Sequence, residues 1–101
     1  MERLDFQFTG GAPASRRAYA GVVGSGDLEV LLTPGNAGQI DVTITTSVNG
    51  MRATWQAQLA HVFGSHAWPA AKIIINDFGA TPAVVRLRLE QALESLNALG
   101  S

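Results

Sequence analysis

A chain of 101 residues with 47% hydrophobic and 15% charged residues is globular rather than disordered, and is sized for one domain, residues 1–101, with a modest core and no deep multi-layer active site. Its net charge of −1 offers nothing to draw nucleic acid or an anionic membrane. The absence of cysteine excludes a disulfide framework, a thiolate metal site and a cysteine nucleophile, so any thiol used in its function has to come from a cofactor.

Taken in order, Leu4, Phe6 and Phe8 alternate with Asp5 and Gln7 and predict a strand with one buried face. Thr9 to Ser15 reads as a small-residue loop, its Gly10-Gly11 pair a flexible connector. Arg16 and Arg17 read as a solvated strand end, with a phosphate contact as the other use of such a pair. Ala18–Val23 and Leu28–Thr33 predict a hairpin about Gly24-Ser25-Gly26-Asp27. Its second strand turns Leu28, Val30 and Leu32 to one face, and Glu29 and Leu31 to the other. After the turn at Pro34–Gly38, Ile40, Val42 and Ile44 alternate with Asp41, Thr43 and Thr45, the pattern of a half-buried strand.

Beyond Asn49-Gly50 the period changes. Trp55, Leu59, Val62 and Phe63 fall on one helix face. This outweighs the strand from Met51 to Gln56 that an Asn-Gly turn would also permit. Gly64 to Ala71 is a loop, and the unbroken Ile73-Ile74-Ile75 predicts a central strand buried on both sides or nearly so. Thr81-Pro82 supplies an N-cap and a proline at the first helical position. Val85, Leu89, Ala92, Leu93 and Leu96 then form an apolar stripe, with Arg86 and Glu90 four apart on another face. The expected fold is α+β: a two-layer sandwich, a mostly antiparallel sheet of about five strands with two helices packed on one face. No apolar run approaches membrane-spanning length and no signal-peptide core opens the chain, so the expected location is the cytoplasm.

The distinctive stretch is the hairpin tip. Gly24 and Gly26 remove side-chain bulk on both sides of Ser25 and allow positive φ, so the Ser25 hydroxyl is expected to project where a second molecule can reach it. An ordinary turn serine is the plain alternative. The glycine order does not fit a dinucleotide fingerprint, no lysine completes a Walker loop, and no helix follows to make a nucleophile elbow. His61 and His66 are five apart, a spacing that does not align two ligands on a helix face. The acidic residues form no pair for acid–base work, so neither catalytic nor metal-binding residues are assigned.

Gly24-Ser25-Gly26-Asp27-Leu28-Glu29-Val30-Leu31, Thr46-Ser47-Val48-Asn49-Gly50 and Asp77-Phe78-Gly79-Ala80-Thr81-Pro82, followed by Val85-Arg86-Leu87-Arg88-Leu89-Glu90, resemble the acyl carrier (delta) subunit of malonate decarboxylase over nearly the whole chain. The acyl carrier subunit of citrate lyase is a more distant relative and the alternative carrier reading; an unmodified structural subunit is the other. The resemblance implies a non-catalytic carrier whose serine, here Ser25, is joined through a phosphodiester to a 2'-(5-phosphoribosyl)-3'-dephospho-CoA prosthetic group. The thiol of that group would carry acetyl and malonyl as thioesters. It also implies protein partners: a prosthetic-group transferase that releases pyrophosphate on attachment, a malonyl transferase, the malonate/acetyl transferase subunit and the decarboxylase subunits. Gly24 and Gly26 would give access. Asp27 is available to orient the hydroxyl or hold a magnesium ion during attachment, or simply to cap its own turn. Arg86 and Arg88 are available to grip the phosphates or an acidic partner surface, or are plain surface charges.

Overall fold

The structure, a computed structural model, describes the chain from residue 1 to residue 100, with side chains as far as Leu96. Its elements run β1 (Glu2–Thr9), β2 (Ala18–Gly21), β3 (Leu28–Pro34), β4 (Gln39–Thr46), α1 (Arg52–Ser65), β5 (Ala71–Asp77) and α2 (Pro82–Gly100). The strands form one sheet in the order β1-β4-β5-β3-β2. Every neighbouring pair is antiparallel except β4 and β5, which are parallel because α1 carries the chain back between them. The expected α+β sandwich is the one observed.

Alternation decides which face is buried. Leu4 and Phe6 of β1, Leu28, Val30 and Leu32 of β3, Ile40, Val42 and Ile44 of β4, and Ile73 and Ile75 of β5 all turn inward. They meet Trp55, Leu59, Val62 and Phe63 of α1 and Val85, Leu89, Ala92 and Leu96 of α2 in one cluster. Phe63 joins the α1 side of this core to β1 through Phe8, ring centroids 5.1 Å apart, and meets Trp68 in a T-shaped contact at 5.0 Å. α2 lies over β2 and β3. The strand at Met51–Gln56 does not form, since the helical spacing of four buried side chains stabilises α1 more than a local Asn-Gly turn preference can oppose.

Four local expectations are corrected. Ile74 is 48% exposed: β5 is central in the sheet, but both helices cover the same face, so its other face is open. Val22 and Val23 lie outside β2, exposed, because the strand ends at Gly21. Gly10-Gly11 is a packed crossing and not a loose connector: Gly10 N–H donates to the Gly38 carbonyl at 3.0 Å, Gly11 N–H to that of Trp68 at 2.9 Å, and a Cβ on Gly10 would stand 2.9 Å from Ile40. Arg16 is half-buried, its guanidinium donating to the Leu96 and Ser95 carbonyls of α2 at 2.7 and 3.3 Å.

Candidate functional site

The β2–β3 connection begins at Gly21, where φ is +112° and a Cβ would stand 2.1 Å from the Leu28 carbonyl oxygen. Only glycine closes the ladder there. Val22 N–H then donates to that same Leu28 carbonyl at 3.1 Å, the last bond of the hairpin. At the far side, Asp27 N–H donates to the Gly24 carbonyl at 3.1 Å and closes a four-residue turn, Gly24-Ser25-Gly26-Asp27. Gly26, third in that turn, has φ of +79°, the value that position takes in a type II turn and the reason glycine is favoured there. Ser25, second in the turn, is exposed at its apex. Of the two glycines expected to need positive φ, Gly26 does and Gly24 does not; Gly21 was the residue to add.

The base of the turn is held firmly. Gly26 N–H donates to the Phe78 carbonyl at 2.8 Å, and Phe78 N–H to the Asp27 carbonyl at 2.9 Å. The Asp27 carboxylate receives Arg88 from α2 through two parallel bonds, Nε to Oδ1 at 3.0 Å and Nη2 to Oδ2 at 2.7 Å. Leu28 N–H also donates to Oδ1, at 2.7 Å. The side chains of this pair are 20% (Arg88) and 22% (Asp27) exposed, sheltered enough for the bidentate geometry to be well defined. Hydrogen bonding from Arg88, then from the Leu28 amide, holds the Asp27 carboxyl below the usual carboxylate range, and Asp27 raises Arg88 in turn. Arg88 Nη1 is occupied as well, donating to Gln91 Oε1 at 3.0 Å.

The structure thus brings Ser25, Gly24, Gly26, Asp27 and Arg88 together and places Arg86 elsewhere. Two positions along α2, Arg86 points to the opposite flank. It pairs with Glu90 at 3.3 Å and borders, with Ala57, His61 and Pro82, a groove of about 690 Å³ between α1 and α2. His61 lines the same groove, and His66 lies 3.6 Å from Glu90.

Register also reveals what spacing alone did not. Leu28 pairs with Asp77, and Asp77 with Thr46. The segments 24–31, 46–50 and 77–82 are therefore gathered at one end of the sheet, although they are scattered in sequence. Beneath them Thr46 Oγ1 donates to Asp77 Oδ2 at 2.8 Å and accepts from Val48 N–H at 3.1 Å, while Asp77 Oδ1 accepts from Ala80 N–H at 3.0 Å. Both residues are almost fully buried. This lattice fixes the Phe78 backbone on which the Ser25 turn rests.

The Ser25 hydroxyl thus stands on the apex of a turn supported from below by backbone ladders and an ion pair, within reach of a second molecule. The model of the malonate decarboxylase delta subunit, an acyl carrier family, matches residues 15–96. The malonate decarboxylase acyl carrier protein of Pseudomonas aeruginosa is 61% identical over 94 residues, 93% of this chain and 95% of that one. Its counterpart in Stutzerimonas stutzeri is 55% identical over 96 residues, 95% and 97% of the two chains. The fold matches, with a TM-score of 0.91 and 52% identity, a chain in the crystal structure of a Pseudomonas malonate decarboxylase hetero-tetramer in complex with malonate, covering 95% of this chain and 99% of that one. The chain belongs to the malonate decarboxylase acyl carrier family.

Proposed function

We propose that this chain is the acyl carrier subunit of a malonate decarboxylase, bearing acetyl and malonyl on a phosphoribosyl-dephospho-CoA group joined to Ser25. The observation that carries this reading is the exposure of Ser25 at the apex of a glycine-flanked turn whose base is fixed. The residues present suit such a group: the hydroxyl is accessible, its flanking residues are bare, and a chain without cysteine has no thiol of its own. When attached, the group supplies a terminal thiol and with it thioester chemistry, which stabilises the carbanion left on decarboxylation. The chain supplies attachment, orientation and docking. Ser25 provides the oxygen of the phosphodiester and takes no later part. Gly24 and Gly26 leave the approach open, while Asp27 and Arg88 hold the turn from below. The partners are the other subunits of a decarboxylase assembly, together with the transferases that load the arm. Tethering keeps the acyl group at high effective concentration near each of them, provided the reach matches the distance.

The test is the intact mass of protein purified from its native host, followed by the mass of a proteolytic fragment spanning residue 25. The expected result is a mass increase corresponding to one prosthetic group, confined to that fragment and absent in Ser25→Ala. Ser25→Ala should also leave the reconstituted decarboxylase inactive while melting with the wild type, since an exposed turn side chain contributes less than about 0.5 kcal/mol. An unmodified fragment from native material, or full activity of the alanine variant, would end the carrier reading.

A further inference from the structure

We infer that Arg88 is a positioning residue for Ser25, acting through Asp27 rather than on the phosphates of the incoming group. Three observations carry it. First, three of the five guanidinium N–H groups are committed: Nε and Nη2 each donate to Asp27 and Nη1 donates to Gln91, at 2.7–3.0 Å. Gripping a phosphate with that same fork would mean breaking the bidentate pair to Asp27 first.

Second, Asp27 is the hinge point of the Ser25 turn. Its N–H closes the turn on Gly24, its carbonyl receives Phe78 N–H, and its carboxylate receives Leu28 N–H and Arg88. Fixing Asp27 therefore fixes both the turn and the place where β3 begins. Third, Arg88 is the contact that ties this turn to α2, 61 positions away. Backbone bonds to Phe78 hold the turn to the sheet; Arg88 holds it to the helix layer.

This inference rests on the carrier reading for its consequence, because a fixed turn matters most when the hydroxyl has to react. On attachment the Ser25 Oγ forms a bond to phosphorus, the bond to the departing pyrophosphate breaks, and the hydroxyl proton passes to the transferase or to water. A loop that wanders by an ångström or so loses a large part of the rate of such a step. It loses little of the donor's affinity, which resides on the transferase.

The experiment compares wild type, Arg88→Ala, Asp27→Ala, the double variant, Arg88→Lys, and the exchanged pair Asp27→Arg with Arg88→Asp. Amide hydrogen exchange is read at residues 24–28 of the unmodified full chain. Attachment kinetics are read with the purified transferase and the triphosphate form of the prosthetic group. Each single alanine variant is expected to speed exchange across the turn and to lower kcat about tenfold with the donor KM unchanged. The double variant should be no worse than either single one. Arg88→Lys, which keeps the charge and loses the fork, should fall between, and the exchanged pair, which restores opposite charges but leaves Leu28 N–H without its side-chain acceptor, should recover only part of the loss. A donor KM that rises on removing Arg88 whatever residue stands at 27 would overturn the inference and make Arg88 a phosphate ligand. Unchanged exchange and unchanged kcat in Arg88→Ala would overturn it too. Should native protein carry nothing at Ser25, the carrier reading fails, yet the exchange measurement on the bare chain still decides whether the clamp exists.

Discussion

At Gly21 and Gly24, two glycines three positions apart, the same substitution should have very different costs. Gly21 combines φ of +112° with a backbone carbonyl 2.1 Å from where a Cβ would sit, whereas the nearest atom to a Cβ on Gly24 is Val22 Cγ1 at 3.7 Å. Gly21→Ala should therefore cost roughly 1–3 kcal/mol of stability, and Gly24→Ala less than about 0.5 kcal/mol, as read from urea midpoints. The sequence drew attention to the glycines beside Ser25 because they flank a hydroxyl. Gly26 does take positive φ, but the most crowded glycine is Gly21, where the strand ends, and nothing in the local pattern marked it.

Asp27 adds a pH signature at the same scale. Arg88 and the Leu28 amide hold its carboxyl below the ordinary value. The stability it contributes is thus fully present above the unfolded carboxylate pKa, about 3.9, and is lost as pH falls through the lower folded value. The melting-temperature gap between wild type and Asp27→Asn should be flat from pH 7 to about pH 5 and close below about pH 4. A gap that closed on the alkaline side would contradict the pairing.

Among the elements, strong periodicity was a reliable guide. The alternation of β1 and β4, the four-residue helical spacing of α1 and the Thr81-Pro82 start of α2 all stand where the sequence put them. Thr81 Oγ1 accepts from Val84 N–H at 3.3 Å, as an N-cap does. What failed were inferences that needed knowledge of a second layer. Ile73-Ile74-Ile75 predicts a strand buried on both sides or nearly so, because a run of isoleucine has no polar position to reveal the open side. The Asp27–Arg88 pair was beyond local reading altogether, since which turn of a helix crosses which loop depends on how the layers dock.

The Thr46–Asp77 contact makes a further claim at this scale. Thr46→Val keeps the shape but removes the donor to a buried carboxylate and the acceptor of Val48 N–H. It should destabilise the chain by about 1–3 kcal/mol and loosen the Phe78 backbone, visible as faster amide exchange at Gly26 as well as at Ala80.

The whole molecule is nearly neutral, with a net charge of −1, and among its described residues no helix is long and apolar enough to cross a membrane. On its surface Arg86 pairs with Glu90 and Arg3 with Asp5 at 3.9 Å, while the Asp41 carboxylate accepts hydrogen bonds from Gln39 and Gln7. Such a surface has little long-range field with which to steer a partner. On the proposed function, association with the other subunits of a decarboxylase should accordingly change by no more than a few-fold between about 50 and 500 mM salt, measured as an association rate. A steep decline with salt would instead point to a charged docking surface.

Because the apex of the Gly24–Asp27 turn is braced from beneath, its side chain can be exchanged without disturbing the scaffold. In a cysteine-free chain, Ser25→Cys would create a unique site for maleimide conjugation. Fluorophores, spin labels or synthetic pantetheine mimics could then be mounted at the position proposed for the prosthetic group, turning the protein into a programmable delivery tip.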